Sequence, residues 1–469
     1  MCRTFASIRA SSAIRAPNRL RAVSTISFGT AAVVLDGSIA NVALPTIARA
    51  LAIDRSSAVL VVAVYQIVLV MSLLPFASLA DRLGHLRFYR YGQSIFVVAS
   101  LACLWIDSLP LLLLVRAIQA LGAAATLSVS TALLRSIYPP DWLGRGLSLN
   151  SLIVACAAAL APTVGGIILG FAAWQNVFIV AVPLSLASLL LGTSLPAGTR
   201  HASHFNVKEA VLCAATFGLV MGGIELATSG APLWLSVLVI LAGLGLGIAF
   251  VRRELRETRP IMPVDLLRLP VLRLSVLGAL LAFIAWMTIL VSIPFRLEHH
   301  YGFRPAEVGT VLAVWPLAMM LIAPIAGSLS DRTPQGLLGI VGMVIVTGAL
   351  IAIALLPEHP SYFDLAWRMG LCGGGFGLFL SPNSRQIMGA APPERAASAG
   401  GLIGTTRLTG QSLGATIAGG FMAVSGGAAL AAIAAAVLTT LAGLCSLALF
   451  HPRLREPARH AIDPLVDDY

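Results

Sequence analysis

Fourteen apolar runs, separated by short polar or proline-containing breaks, dominate this chain. They cover residues 23–45, 57–80, 88–106, 109–133, 147–170, 174–194, 208–228, 232–251, 272–295, 306–329, 335–356, 362–382, 398–422 and 425–450. A helix needs roughly 20 apolar residues to cross the hydrocarbon core of a bilayer, so each run is read as one spanning helix. The expected fold class is an all-α polytopic membrane protein. Composition agrees: 58% of the 469 residues are apolar, 11% are charged and the mean hydropathy is +0.91. Soluble chains carry about 25% charged residues, so a soluble enzyme, a disordered chain and a secreted disulfide scaffold are excluded.

The formal net charge of +11 reads first as a topology signal. Of the 31 basic residues only Lys208 is a lysine, and they lie in short clusters between the apolar runs. With both termini in the cytoplasm, the loops on that side hold 24 basic residues. The opposite loops hold four, Arg49, Arg55, Arg296 and Arg304, and Arg116, Arg368 and Arg407 lie within runs. This asymmetry is what the positive-inside rule demands, and one missing or extra helix would scramble it. No basic stripe alternates with aromatic residues, so no nucleic-acid partner is expected. The first run is too long for a signal-peptide core and contains Asp36, so it is expected to be retained. Location in the cell membrane follows as an expectation.

Cys103, Cys156, Cys213, Cys372 and Cys445 all fall inside apolar runs and none has C-x-x-C spacing. Such cysteines pack as small hydrophobes, so neither a disulfide framework nor a metal site is expected. The phosphate-binding loop of ATP-driven pumps needs Gly-Lys-Ser/Thr. The single lysine reads Val207-Lys208-Glu209, so no nucleotide-driven pump and no cofactor is expected. A membrane-embedded enzyme would need a convergent His, Cys or paired-carboxylate set, and none is visible.

The chain also repeats itself. Leu79-Ala80-Asp81-Arg82 returns as Leu329-Ser330-Asp331-Arg332, Arg116 and Gly122 as Arg368 and Gly374, Pro139-Pro140 as Pro392-Pro393, and Gly165-Gly166 as Gly419-Gly420. Four matches in order at an offset near 250 divide the chain. The expected parts are a tail over 1–22, a six-helix bundle over 23–194, an inserted pair over 208–251, a second bundle over 272–450 and a tail over 451–469. Parallel repeats of this kind mark transporters, with the substrate site near the midplane between the repeats.

Asp36 and Arg116 stand within the first and fourth runs, roughly 14 and 10 Å from the same end at 1.5 Å per residue. Ionisable groups inside a membrane are costly unless paired or hydrated, and so point to function. The alternative is an ion pair that only ties helices together. Glu225 is a second acid, near the outer end of the inserted pair; it is either a coupling group or an interfacial carboxylate. Asn41, Tyr65 and Gln119 are polar groups that either line a cavity or bond helix to helix. Phe283, Trp286, Met287 and Trp315 suit a lipophilic pocket, with lipid-facing placement equally open. At 161–166, Ala-Pro-Thr-Val-Gly-Gly joins a missing backbone donor, Pro162, to the small residues Gly165 and Gly166. This reads as a kinked packing face, which is also what a rocking interface requires.

At these residues the chain resembles the major facilitator superfamily, within its fourteen-helix drug:proton antiporter subfamily of multidrug efflux type. Leu35-Asp-Gly-Ser-Ile-Ala-Asn-Val-Ala-Leu-Pro45 is similar to the first-helix signature L-D-x-T-x-x-N-V-A-L-P, with Ser38 for Thr. Ala77-Ser-Leu-Ala-Asp-Arg-Leu-Gly84 resembles the G-x-L-A-D-R-x-G loop, which implies a cytoplasmic gate of Asp81, Arg82 and Gly84, with Asp331 and Arg332 as its repeat. Arg116-Ala-Ile-Gln119-Ala-Leu-Gly122 resembles the fourth-helix R-x-x-Q-G-x-G motif and implies that Arg116 takes part in proton coupling. Ala161-Pro162-x-x-Gly165-Gly166 resembles the fifth-helix motif of exporters. Trp174, Phe178 and Pro183 resemble the start of helix 6 in that subfamily.

The expected function is therefore export of amphipathic or lipophilic small molecules in exchange for protons, by alternating access. Lipid, substrate and protons are the expected partners of a monomer. Export of one specific metabolite or self-made antibiotic is the rival; proton symport and a membrane sensor are disfavoured. In a cysteine-less background, Arg256→Cys is expected to react with impermeant thiol reagents only from inside and His300→Cys only from outside. The reverse pattern overturns this topology.

Overall fold

The computed structural model describes residues 16–137, 140–192, 206–228, 230–255, 263–330, 332–391, 395–423 and 427–449. Among them are fourteen α-helices and no strand: α1 (Ala16–Ala50), α2 (Arg55–Leu83), α3 (His85–Ala102), α4 (Leu109–Ile137), α5 (Pro140–Phe171), α6 (Val182–Leu191), α7 (Val207–Thr228), α8 (Leu233–Glu254), α9 (Pro270–His299), α10 (Pro305–Leu329), α11 (Gln335–Ala354), α12 (Tyr362–Ala390), α13 (Ala396–Met422) and α14 (Gly427–Ala448). The all-α, fourteen-helix class is the one the apolar runs dictate. The sixth run differs from a plain helix: it opens with a 3-10 segment, Trp174–Ile179, before α6. The helix of the first run starts at Ala16, seven residues before the apolar stretch.

Eleven described helices or helical stretches are long and apolar enough to cross a membrane. The other three, α3, α12 and α13, lie outside that set. They hold Arg87, Arg90 and Gln93 in α3, Asp364 and Arg368 in α12, and a Gly-, Ser- and Thr-rich sequence in α13. The chain is thus an integral membrane protein whose outer surface is apolar. On α8, for example, Leu233, Trp234, Leu238, Leu241 and Ile248 are all more than half exposed. A water-facing helix would not present such a face.

Helix ends follow local chemistry. Asp54 caps α2, accepting from the Ser57 backbone and from the hydroxyls of Ser56 and Ser57. Hydrogen bonds, that from Ser56 foremost, hold its carboxyl below the usual carboxylate range. Ser361 and Asp364 form a capping box at the start of α12. Gly84, at φ 95°, ends α2 with its N–H on the Ala80 carbonyl and starts α3 with its own carbonyl. Only glycine enters that conformation without strain.

The helices form two compact units. One contains α1–α7, most of α8, the last turns of α9 from Ile293 and the first turns of α10 to Ala313; the other contains the remainder. In the first unit, α1 packs on α5 and α6, and α4 packs on α2 and α3, while α7 lies on α2. In the second, α11 packs on α12 and α14. Each unit has a helix pair in which two glycines face each other backbone to backbone. A Cβ on Gly92 would sit 2.9 Å from the Gly122 carbonyl oxygen, and a Cβ on Gly122 2.7 Å from that of Gly92. In the second unit Gly342 and Gly375 face each other in the same way, at 2.5 and 2.6 Å. The residue offsets, 250 and 253, match those of the sequence repeat. Small residues that let helix backbones touch are the usual means of association in lipid, where no hydrophobic force drives helix to helix.

The contact is closed to side chains. Gly122→Val is expected to destabilise the protein by about 1–3 kcal/mol, the usual cost of overpacking, read as a lower thermal midpoint of the purified protein in detergent. Gly170→Ala, where a Cβ meets nothing within 4 Å, is expected to leave the midpoint unchanged.

Candidate functional site

On α4, Arg116 and Gln119 are three residues apart and therefore share one face. That face meets Asp36 on α1, and all three residues are 0% exposed. Arg116 Nη1 donates to Asp36 Oδ2 at 2.7 Å and to Gln119 Oε1 at 2.5 Å, and its Nε donates to the Val61 carbonyl of α2 at 3.3 Å. Gln119 Nε2 donates to Asp36 Oδ1 at 2.9 Å and to Ser100 Oγ at 2.7 Å. Both carboxylate oxygens are thus held by donors. The flat guanidinium also lies over two rings, 4.2 Å from the Tyr65 centroid and 5.0 Å from that of Phe178. These contacts are favourable where water is excluded.

A carboxylate and a guanidinium removed from water each carry a desolvation cost of several kcal/mol, offset only by good mutual geometry and further hydrogen bonds. The network supplies both for the carboxylate and for Arg116 Nη1 and Nε, while Arg116 Nη2 is buried without a hydrogen-bond partner. The network also has one chemical degree of freedom. Protonation of Asp36 would turn an acceptor into a donor and remove the charge that pairs with Arg116.

The polar residues singled out in the sequence divide. Tyr65 and Gln119 join the Asp36–Arg116 group, although the Tyr65 hydroxyl has no hydrogen-bond partner. Asn41 bonds within its own helix, to the Gly37 and Ser38 carbonyls, both at 3.2 Å. Glu225 sits partly buried on α7, the helix that lies on α2. Ser100, Phe178 and the Val61 carbonyl belong to the network without having been singled out for it: a serine in an apolar run carries no signal of its own, and Phe178 was noted only for its likeness to the start of helix 6. A second buried polar layer also escaped notice. There Tyr89 bonds to the Thr25 carbonyl and Ser188, and Gln93 to Thr126 and the Gly29 carbonyl. Tyr89 and Gln93, polar within an apolar run, were the available clue.

In the second unit, Phe283 and Trp286 of α9, Trp315 of α10 and Phe376 of α12 form one aromatic cluster. Phe376 is 5.5, 6.0 and 6.3 Å from the ring centroids of Phe283, Trp286 and Trp315. Phe283, Trp315 and Met287 are buried rather than lipid-facing, at 3, 2 and 2% exposure. Met287 packs against Gly414 of α13. At an offset of 250 in the sequence, Trp286 corresponds to Asp36. The repeat's counterpart of Arg116, Arg368, instead bonds to Asp364 on its own helix and to the Ala352 carbonyl. The first unit thus has a buried ion pair between helices and the second a cluster of aromatic rings.

Of the gate residues, Asp81 pairs with His85 at 2.9 Å and Arg82 is exposed. Arg332 is exposed, and Asp331 lies outside the described residues. The fifth-helix motif is a backbone contact: a Cβ on Gly309 would lie 2.2 Å from the Pro162 carbonyl oxygen, and one on Gly166 2.4 Å from that of Pro305. Gly165 meets the Ile39 side chain of α1. At the same end of α1, Arg49 pairs with Glu298 at 2.7 Å.

A family model described as Major Facilitator Superfamily matches residues 26–415 and 275–466. The chain belongs to this superfamily. It is 43% identical to the uncharacterized transporter YebQ of Escherichia coli over 94% of this chain and 97% of the relative. It is 30% identical to the tetracenomycin C resistance and export protein of Streptomyces glaucescens, over 85 and 75%. Similarity to the multidrug resistance protein Stp of Mycobacterium tuberculosis is 29%, over 87 and 76%. A solved POT family transporter in complex with 5-aminolevulinic acid has the same fold, with a TM-score of 0.70 over 93% of this chain and 97% of that one at 17% identity. Relatives at this level thus include transporters named for drug resistance and export.

Removing one member of a buried pair strands the other. Arg116→Ala is expected to cost about 3–5 kcal/mol. The double change Asp36→Leu with Arg116→Met is expected to recover most of that loss, both read from unfolding midpoints in detergent.

Proposed function

We propose that the protein exports amphipathic or lipophilic small molecules from the cytoplasm across the cell membrane in exchange for protons, by alternating access. The observation that carries this reading is the Asp36 carboxylate, fully buried in a spanning helix yet bonded to Arg116 and Gln119. A structural tie alone is better made from packed apolar residues. A carboxyl whose protonation releases a cation on a neighbouring helix is the component that proton coupling requires. Protons entering from outside neutralise Asp36, Arg116 is released, and the helices repack; proton loss to the cytoplasm restores the pair. The gradient supplies the energy, and no cofactor is needed.

Substrate export is supported by the relatives named for drug resistance and export. The backbone contact of Pro162 and Gly166 with the start of α10 supports a rigid joint on the side opposite the cytoplasm. Both termini lie in the cytoplasm on this reading, and the Asp81 loop with Arg332 forms the gate there. Export of one specific metabolite is the second reading, favoured by the relative named for tetracenomycin C alone.

In inverted membrane vesicles carrying a preformed inward-acid pH gradient, substrate addition is expected to dissipate the gradient. Asp36→Asn is expected to abolish this and active export while the protein still folds and inserts. Unchanged export by Asp36→Asn makes the pair structural and moves the coupling role to Glu225.

A further inference from the structure

Arg407 lies within a described helix core, and the mechanism above leaves it unused. It is the twelfth of the 27 residues of α13, roughly 16 Å from either neighbouring loop at the near end. Among the described residues no carboxylate pairs with it. Its Nε is shut off from solvent with no hydrogen-bond partner, and the side chain is partly buried. Arg116 and Arg368, the other arginines within spans, each have an acid. An arginine cannot shed its charge, and an unpaired charge inside a membrane is costly. A chain that keeps one there gains something from it.

The surroundings indicate what. On the same side of α13, one and two turns toward its start, Gly404 and Gly400 have nothing within 4 Å of a Cβ position, so this flank is open. One turn in the other direction, Gly410 packs against Phe283, a member of the aromatic cluster. By helix register Arg407 therefore stands about one turn, roughly 5 Å, below that cluster. There the indole N–H groups of Trp286 and Trp315 are also buried with no acceptor. A fixed cation, two unsatisfied donors and aromatic faces occur together, all within the second unit, and no acid is among them.

We propose that Arg407 is the anion-recognising group of a substrate site in the second unit. The site takes planar aromatic compounds bearing a carboxylate or another acidic group. The guanidinium pairs with the anion through charge-assisted hydrogen bonds, and the Trp286 flank of the cluster takes the aromatic body. The inference rests on the export reading for its place in transport, but not for binding itself. It selects among amphipathic compounds: anionic aromatics are held, and cationic ones of the same shape meet a like charge.

The test uses three compounds with one ring system: anthracene-9-carboxylate, its neutral carboxamide and 9-anthracenemethylammonium. Binding to the purified full chain in detergent is read by energy transfer from tryptophan to the anthracene. The carboxylate is expected to bind about tenfold to a hundredfold more tightly than the ammonium compound, the range that a hydrogen bond to a charged group confers. Arg407→Gln is expected to erase that preference, and Arg407→Lys to keep part of it, since the charge remains and the forked geometry is lost. Thermal midpoints near wild type show that both variants are folded. Equal carboxylate binding by wild type and Arg407→Gln overturns the inference, as does a wild-type preference for the ammonium compound. Export is measured separately in inverted vesicles. Arg407-dependent binding without transport of any of the three supports the site and sinks the export reading. Proton-coupled transport with no dependence on Arg407 does the reverse.

Discussion

An aspartate and an arginine that face each other without water set the terms for the first unit. Each alone is intolerable in a spanning helix, and together they need several donors and acceptors placed within a few tenths of an ångström. Gln119 is fixed by its i,i+3 relation to Arg116, Ser100 by the end of α3, and the Val61 carbonyl by the course of α2. The rings of Tyr65 and Phe178 then cover the guanidinium faces. Five segments of chain are thus committed to one small polar centre. The close glycine crossing of α3 and α4 serves the same end, since it sets how near Ser100 comes to Gln119.

Much of this was legible in the sequence because lipid imposes a simple code. Fourteen apolar runs became fourteen helices, and the Asp36 and Arg116 depths, counted at 1.5 Å per residue, already put the two charges near one level. The pairing of Gly92 with Gly122 and Gly342 with Gly375 gave a structural form to a repeat first visible as scattered dipeptides. Tyr65 and Gln119 were found because polar side chains stand out in apolar runs.

What escaped the sequence has physical reasons too. Phe178 and Ser100 are ordinary residues whose roles come only from what lies opposite them. Asn41 was open to cavity lining or to bonding between helices, and its amide donates to carbonyls of its own helix that lie within reach. The break at Trp174–Ile179 is hidden because an apolar run does not reveal whether its first turns are wound as an α-helix. Phe283, Met287 and Trp315 left lipid and pocket equally open, since hydrophobicity alone does not choose between a neighbour and a fatty-acid chain.

The reciprocal glycine contacts carry a mechanical corollary. Two helices whose backbones touch, each filling the notch left by the other's missing side chain, cannot slide or turn past one another without opening a void. The pairs α3–α4 and α11–α12 therefore behave as stiff plates rather than as separate rods. Asp36 and Arg116 straddle the edge of such a plate: Arg116 is part of it and Asp36, on α1, is not. On the proposed coupling, a proton that breaks their bond acts at the seam between a rigid body and its neighbour rather than within the rigid body.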